Sequence, residues 1–230
     1  MENIVILTGA GISAESGLGT FRDEGGLWSQ HRIEDVATPE GFARDSALVH
    51  RFYNARRVQA AAAQANAAHH ALARLEAAFA GQVTIVTQNV DGLHEAAGSR
   101  RVLHMHGTLA GALCAACGHR WTAPPEMAPG PPCPACKAPA ARPDVVWFGE
   151  MPYHMDAIWD LLRGADIFAA IGTSGQIYPA AAFVQDAARA GAHTVEINLE
   201  PSAVVSHFAE TRFGKASVEV PRWVTALLAQ

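Results

Sequence analysis

The chain has 230 residues, of which 50% are hydrophobic and 17% are charged, with a formal net charge of −5. This length and composition are typical of a globular protein with a substantial core, built as one large domain or as a large domain with a small satellite. The weakly acidic balance excludes a protein that binds nucleic acids or anionic membranes through its overall charge, so we expect neither partner.

The chain begins with an apolar run, Ile4 to Leu7, that stops at Thr8 and Gly9. This run lacks the basic flank and the cleavage pattern of a signal peptide, and it is far too short to span a bilayer. We therefore expect a buried first strand, no signal peptide and a cytoplasmic location.

Apolar and β-branched runs alternate with helical segments along the chain. The predicted strands are Ile4–Leu7, Val83–Val86, Val145–Phe148, Ile167–Ile171, Thr194–Ile197 and Ser217–Val220. Three helices are predicted. One begins at Thr38-Pro39-Glu40, a second runs from Asn66 to Gly81, and a third covers about Ala180 to Ala190. Because most strands are continuously apolar, this order predicts an α/β fold with a Rossmann-like, doubly wound parallel sheet.

The cysteines of the chain form two C-x2-C pairs, Cys114 with Cys117 and Cys133 with Cys136. This spacing is typical of a four-thiolate zinc site, in which all positions on the metal are filled and the ion is structural. Two disulfides are the alternative, but cysteines separated by two residues make a poor structural disulfide and the cytosol is reducing.

The Pro-rich segment 109–142 holds these cysteines and interrupts the α/β pattern. Such a segment can hardly build a core of its own, so zinc would supply its fold. We predict a zinc-ribbon module at 109–142, inserted into a larger domain of residues 1–108 and 143–230 that has a helical insertion at about 38–65.

The first strand leads into a glycine-containing turn, Gly9-Ala10-Gly11-Ile12-Ser13-Ala14. Glycines at the end of a strand allow the backbone to approach a pyrophosphate, and a following helix offers free N–H groups. Alone this pattern is weak, because many tight turns look similar. The chain continues to Trp28 as a glycine-rich, aperiodic segment, more like a loop that covers a ligand than an ordinary crossover.

The complete run from Gly9 to Trp28, GAGISAESGLGTFRDEGGLW, resembles the cofactor-binding loop of sirtuins. Four further blocks match the same family in the expected order: TQNVDGLH from Thr87, HMHG from His104, VVWFGE from Val145 and GTS from Gly172. The cysteines lie between the second and third of these blocks, where sirtuins have their zinc ribbon. The resemblance covers essentially the whole chain and implies an NAD-dependent protein-lysine deacylase that transfers the acyl group to ADP-ribose and releases nicotinamide.

The resemblance implies NAD as co-substrate, with Asn89 and Asp91 in the nicotinamide pocket and Gln88 at the nicotinamide ribose. From the residues alone, Asn and Asp before Gly could equally well form a turn. The full set of NAD-binding residues implied by the resemblance is Gly9, Ala10, Gly11, Ile12, Ser13, Ala14, Glu15, Thr20, Phe21, Arg22, Trp28, Gln88, Asn89, Val90, Asp91, Gly172, Thr173, Ser174, Asn198, Leu199, Glu200 and Ala216.

Two histidines, His104 and His106, are candidates for a catalytic base. From the residues alone a structural role is the more common one for such a histidine. The resemblance implies that His106, directly before Gly107, is the general base, and that Asn89 also belongs to the catalytic residues. Histidine suits this role because its ordinary pKa of about 6.5 lets it accept a proton near neutrality. His104 has no such counterpart and is expected to be structural.

Tyr53 and Arg56 are three positions apart on a predicted helix, so they project from one face. The surrounding sequence, FYNARR, resembles the acyl pocket of desuccinylase-type sirtuins. A phenol beside a guanidinium can pair with the carboxylate of a succinyl group, which predicts desuccinylation with retained deacetylation. The family further implies that acylated-lysine proteins or peptides bind as an extended strand. The residues implied for that contact are Val146, Phe148, Gly149 and Glu150.

Two other functions remain open from the residues. An NAD dehydrogenase would explain the first glycines but not the cysteine segment or the block from Gln88 to His94. A non-catalytic sensor of NAD or ADP-ribose would explain the binding loop. His106, Asn89 and Asp91 together argue against the sensor, because binding alone needs no general base.

Overall fold

The computed structural model describes residues 2–19, 30–130 and 132–229. The strands in these ranges are β1 Asn3–Thr8, β2 Gln82–Thr87, β3 Val102–His104, β4 Gly107–Cys114, β5 Arg120–Thr122, β6 Ala141–Val145, β7 Ile167–Ile171, β8 His193–Asn198 and β9 Glu210–Phe213. The α-helices are α1 Ala10–Ala14, α2 Ile33–Val36, α3 Pro39–Arg44, α4 Ser46–Ala62, α5 Ala67–Ala78, α6 Leu93–Ala96, α7 Met155–Arg163, α8 Phe183–Arg189 and α9 Ala216–Leu228.

The larger sheet is parallel throughout the described residues and has the strand order β3-β2-β1-β7-β8-β9. Side chains of β1 alternate between its faces, as they must in an extended strand. Ile4 and Ile6 pack in a core with α5 and α9, whereas Val5 and Leu7 pack in a second core with α7 and α8. The predicted Rossmann-like, doubly wound fold is therefore confirmed.

The order of the strands reverses between β1 and β7. From β1 the chain extends the sheet through β2 to β3, and it then returns to the other side of β1 to add β7, β8 and β9. In open α/β sheets the crevice outside the carboxyl ends of the strands at such a reversal is where ligands bind. The glycines after β1 and after β7 lie at this point.

The helical insertion between β1 and β2 contains α2, α3 and α4. Thr38 caps α3 by accepting a hydrogen bond from the backbone N–H of Gly41, as its position before Pro39 predicts. This helix ends at Asp45, however, and the carboxylate of Asp45 caps α4 by accepting from the N–H of Leu48. Two helices thus replace the single predicted one, and the predicted acyl-pocket residues lie on α4.

The smaller sheet is antiparallel, with the order β5-β4-β6. It contains Cys114 at the end of β4, and its own core is small: Ala112, Met127 and Ala141. A second apolar cluster joins this sheet to α4 through Phe52, Tyr53, Leu109, Val145 and Trp147.

Several predicted elements are wrong. Ser217–Val220 lies inside α9 and not in a strand, because Val220 faces the core together with other apolar residues at helical spacing. The last strand is instead β9, whose alternating burial does not resemble the continuous apolar runs of the inner strands. In the predicted strand Val145–Phe148, only Val145 is in a strand, and that strand belongs to the smaller sheet. The helix that Asn66 caps ends at Ala78, before Gly81.

None of the helices in the described ranges combines the length and the apolar character that crossing a bilayer requires.

Candidate active site

The turn after β1 and the loop after β7 are in direct contact. The N–H of Gly9 donates to the oxygen of Ile171 and that of Gly11 to the oxygen of Gly172, each over 3.0 Å. A Cβ at Gly11 would lie 2.7 Å from the Cα of Gly172, closer than side chains come to a backbone. Gly172 itself has a φ of +63°, which favours glycine. The predicted cofactor-binding glycines thus form one wall of the crevice.

The loop after β2 is joined to the same wall. The amide nitrogen of Asn89 donates to the oxygen of Gly9 over 3.1 Å and to the hydroxyl of Ser13 over 3.2 Å. Ser13 in turn donates to a carboxylate oxygen of Asp91 over 3.1 Å. Burial raises the pKa of the Asp91 carboxyl, against the hydrogen bonds that it accepts from Leu93 and Ser13. The structure therefore brings the predicted nicotinamide-pocket residues together in a buried, polar cluster.

Two buried histidines that sequence reasoning missed lie below this cluster. His94 contacts the hydroxyl of Thr8 over 3.0 Å, and His69 lies 3.5 Å from the hydroxyl of Ser13. Burial lowers the pKa of His69 to about 4 and that of His94 to about 3. Both rings are therefore neutral near pH 7. His69 could have been recognised from the sequence, because it lies three residues after the cap Asn66, where its ring accepts a hydrogen bond from the Asn66 N–H.

His106 lies at the start of the turn into β4. Its Nδ1 is 3.1 Å from the backbone oxygen of Gln88, a pure acceptor, so this nitrogen carries the ring proton and Nε2 is the free base. Burial lowers the pKa of His106, which keeps the ring neutral near pH 7. A neutral imidazole with a free Nε2 can accept a proton.

His104 has different contacts. Its Nε2 lies 2.7 Å from a carboxylate oxygen of Glu95, and its Nδ1 lies 3.1 Å from the backbone oxygen of Asn89. Although burial opposes the charged ring, the hydrogen bond and the charge of Glu95 raise the pKa of His104. Both ring nitrogens are thus engaged, which fits a positioning role for the loop after β2.

The edge formed by β7, β8 and α9 carries the remaining predicted cofactor residues. The amide of Asn198 donates to the backbone oxygen of Thr173 over 2.7 Å, which joins the loops after β7 and β8. The carboxylate of Glu15 accepts from the N–H of Ser217 over 3.0 Å and from its hydroxyl over 2.7 Å. Ala216 is therefore next to the glycine turn, as the first residue of a helix and not beside a strand.

The other residues at this edge are more open. Ser174 accepts from the N–H of Gln176, and Leu199 and Glu200 are exposed. The predicted cofactor residues Thr20, Phe21, Arg22 and Trp28 lie outside the described residues.

Tyr53 and Arg56 meet in the middle of α4, as their spacing predicts. The guanidinium carbon of Arg56 is 5.6 Å from the centre of the Tyr53 ring. Burial lowers the pKa of Arg56, opposed by the charge of Tyr53, by the charge of Asp91 and by a hydrogen bond to Tyr53. The Asp91 carboxylate thus acts electrostatically on this cationic group.

The segment after β6 borders both groups. The N–H of Val146 donates to the backbone oxygen of His106 over 2.9 Å, and that of Phe148 donates to Ala37 over 3.0 Å. Phe148 and Gly149 are exposed, so this segment is accessible to another chain. The carboxylate of Glu150 is held by Arg142 at 2.6 and 2.8 Å.

Trp147 and Arg142 are two further residues near Tyr53 that the sequence reasoning missed. The indole nitrogen of Trp147 donates to the Tyr53 hydroxyl over 3.1 Å, and the guanidinium carbon of Arg142 lies 3.4 Å from the centre of the Trp147 ring. The only signal in the sequence was that Arg142 lies three residues before the apolar run that begins at Val145, where a buried arginine would need a partner.

The four cysteine sulfurs lie within 4.8 Å of one another. Cys114 and Cys136 are 3.7 Å apart and Cys117 and Cys133 are 3.8 Å apart, far longer than a disulfide bond of about 2.05 Å. Four converging thiols match the donor set and the geometry that Zn²⁺ prefers. The cluster fits a structural zinc ion and not the two disulfides.

The chain is similar to known proteins over nearly its whole length. The Sir2 family model matches residues 9–179. An NAD-dependent protein deacylase of Vibrio vulnificus (strain YJ016) is 58% identical over 231 residues, which cover 99% of this chain and 94% of the relative.

Two solved structures are also similar. A Sir2 homologue in complex with NAD is 38% identical with a TM-score of 0.89, over 98% of this chain and 90% of its own. A mutant Sir2 homologue in complex with 2′-O-acetyl-ADP-ribose has the same identity of 38% and a TM-score of 0.89, over 99% of this chain and 94% of its own.

Proposed function

The chain belongs to the Sir2 family, and we propose that it removes succinyl as well as acetyl groups from protein lysines. Like its curated relatives, it is an NAD-dependent protein deacylase. It uses NAD as co-substrate, and its cysteine cluster fits a structural zinc ion. Because the chain belongs to this family, we reject the two alternative interpretations, an NAD dehydrogenase and a non-catalytic sensor.

NAD supplies the ribose that accepts the acyl group, and we assign its binding to the crevice between β1 and β7. The support for this assignment is the wall of Gly9, Gly11 and Gly172 and its hydrogen bonds to Asn89. His106 takes the proton of a ribose hydroxyl, since its Nε2 carries no proton and burial keeps the ring neutral near pH 7. Asn89 helps to position the nicotinamide end, and Asp91 lines the same pocket.

The observation that carries the acyl preference is the position of Arg56. Its guanidinium lies beside the Tyr53 ring and within the electrostatic influence of Asp91. A carboxylate at the end of a succinyl chain can accept two parallel bonds from a guanidinium and one from a phenol. An acetyl group fits the same space without making these contacts, so deacetylation is retained.

The acylated lysine reaches this pocket from a protein segment that pairs as an extended strand with the residues after β6. The backbone of Val146 and the exposed Phe148 and Gly149 support this placement, and Glu150 holds the loop through Arg142. Main-chain pairing tolerates many sequences, which suits an enzyme that acts on several proteins. Cysteines that bind zinc and do not form disulfides suit a reducing compartment, so we assign the enzyme to the cytoplasm.

Two versions of one peptide test the proposal, one with acetyl-lysine and one with succinyl-lysine. Each is incubated with the enzyme, with and without NAD, and the products are measured by mass spectrometry. We expect NAD-dependent loss of both acyl groups. In Arg56→Met, loss of the succinyl group should fall by roughly tenfold or more relative to loss of the acetyl group.

Arg51→Met is the matched control, since Arg51 is exposed on the same helix. Its ratio of the two rates should equal that of the wild type. Deacetylation without desuccinylation in the wild-type enzyme would contradict the proposed acyl preference and leave the family assignment intact.

A further inference from the structure

We propose that Trp147 is a positioning residue for acidic acyl groups, because its indole N–H orients the Tyr53 hydroxyl so that the phenol proton points to the acyl carboxylate. Arg142 holds the indole in the position that this requires. The inference rests on the proposed desuccinylation and extends it to two residues that do not themselves contact the acyl group.

The hydrogen bond between Trp147 and Tyr53 has only one possible direction. An indole nitrogen can donate but not accept, so over this 3.1 Å contact the Tyr53 oxygen is the acceptor. A phenol oxygen carries a single proton, and that proton cannot point to Trp147. Arg56 also bonds to the Tyr53 hydroxyl, and a guanidinium can only donate, so the phenol proton remains available for an acceptor such as a carboxylate.

Burial strengthens this arrangement. Tyr53 and Trp147 are each only 2% exposed, and hydrogen bonds are electrostatically stronger in such surroundings than in water. Burial also raises the pKa of Tyr53, so the phenol keeps its proton near pH 7. When a phenol accepts one hydrogen bond, it becomes polarised and donates a stronger second one.

Arg142 stacks on the indole and is itself held by hydrogen bonds. Its guanidinium carbon lies 3.4 Å from the centre of the Trp147 ring, and its nitrogens donate to Glu150 over 2.6 and 2.8 Å and to the oxygen of Val145 over 2.8 Å. Glu150 also accepts from the backbone N–H of Trp147 over 2.8 Å. Both the ring and the backbone of Trp147 are thus anchored to one ion pair, in which Arg142 is buried and Glu150 is partly exposed.

The consequence for specificity depends on the acyl group. A carboxylate at the end of a succinyl chain receives the oriented phenol proton and completes a chain of donors from Trp147 through Tyr53. An acetyl group has no carboxylate at that position, so it gains nothing from the orientation. Trp147 should therefore affect the ratio of succinyl to acetyl turnover and not merely the total activity.

Trp147→Phe removes the N–H but keeps an aromatic ring for Arg142. We expect kcat/KM for the succinyl peptide to fall roughly three- to tenfold more than kcat/KM for the acetyl peptide, mainly through KM. Tyr53→Phe should change the ratio in the same direction. Because both variants break one chain of hydrogen bonds, the double variant should have nearly the same ratio as Tyr53→Phe alone.

Trp159→Phe makes the same change at a partly exposed indole on α7 and should keep the wild-type ratio. If Trp147→Phe unfolds at a lower temperature, benzothienylalanine at position 147 supplies a ring of the same shape without the N–H. The ratio of kcat/KM for the succinyl and acetyl peptides in that variant then tests the inference.

Two results would overturn the inference while the proposed function stands. One is an unchanged ratio in the position-147 variant of an enzyme whose desuccinylation depends on Tyr53. The other is a double variant whose effects simply multiply. A wild-type enzyme without desuccinylation would instead overturn the proposed function, and this inference with it.

Discussion

The ring of His106 is oriented by a backbone group, because its Nδ1 lies 3.1 Å from the oxygen of Gln88. Gln88 directly follows β2, so the sheet itself positions the proposed base. The same loop holds Asn89, whose side chain bonds to the glycine turn after β1. The proposed base and the glycine turn are thereby connected through the segments that follow β3, β2 and β1, three neighbouring strands of the larger sheet.

His106→Asn removes the free Nε2 but preserves a group that can bond to Gln88. We expect kcat/KM to fall roughly 10²- to 10⁴-fold for both acyl peptides, since general-base catalysis typically contributes that much. Binding of NAD, measured by calorimetry, should remain close to that of the wild type. Normal turnover by this variant would remove the assignment of His106 as the base.

The pH dependence of the acetyl peptide reaction follows from the lowered pKa of His106. The ring must be neutral to accept a proton, and burial makes it lose its proton at lower pH than a free histidine does. We expect kcat/KM to rise with pH and to reach half of its plateau below about pH 6.5, the ordinary histidine value. A midpoint above that value would contradict the orientation and burial assigned to this ring.

The contact between Gly11 and Gly172 leaves no space for a side chain. In Gly11→Ala, the new Cβ would lie 2.7 Å from the Cα of Gly172, so the two loops must separate. We expect the free energy of unfolding to fall by about 1–3 kcal/mol and NAD binding to weaken. Chemical denaturation and calorimetry measure the two effects.

Gly164→Ala is the control for that substitution, because its Cβ would meet the nearest atom, the oxygen of Asp160, at an ordinary 3.7 Å. It should change the free energy of unfolding by no more than about 0.5 kcal/mol. Equal effects of the two alanines would show that the contact between the loops does not matter.

The buried histidines should make the fold sensitive to acid. His69 and His94 have folded pKa values of about 4 and about 3, whereas the unfolded chain binds these protons near pH 6.5. Between these values the unfolded state holds more protons, so stability is lost as pH falls from about 6.5. Within this window each group is expected to contribute about 1.4 kcal/mol per pH unit. The raised pKa of His104 acts in the opposite direction but above about pH 6.5, where its stabilisation is lost as pH rises.

Denaturation from pH 7 to pH 5 tests this prediction. In His94→Gln the slope of the unfolding free energy against pH should decrease by about 1.4 kcal/mol per pH unit, which corresponds to one proton. His70→Gln is the matched control, because His70 is exposed on the same helix as His69, and it should keep the wild-type slope. An unchanged slope in His94→Gln would contradict a neutral, buried ring at this position.

We expect the folding of the smaller sheet to require zinc binding by the cysteine cluster. In Cys136→Ser we expect the zinc content, measured by atomic emission, to fall well below one ion per chain, and thermal unfolding to occur at lower temperature. Cys136 is exposed, so the substitution removes little packing by itself. Cys136→His should retain more zinc, because three thiolates and an imidazole also form structural zinc sites. Full stability without zinc would refute the structural role.

Local sequence was sufficient for features whose physics is local. The continuous apolar runs of β1, β2, β7 and β8 indicate strands buried on both faces, and Asn66 caps a helix wherever that helix packs. The spacing of the cysteines predicts four converging thiols because a single tetrahedral ion imposes it. The placement of Tyr53 and Arg56 on one helix face follows in the same way from helical periodicity.

Tertiary structure decided what depends on neighbours distant in the chain. Val220 belongs to a helix and not to a strand because α9 packs on the sheet beside α5, which overrides the β-preference of valine. The bond from Trp147 to Tyr53 joins residues 94 positions apart, and no local pattern encodes such a contact. The sequence by itself therefore determined the inner strands, the caps and the clustering of the cysteines, whereas only packing decided which side chains contact Tyr53.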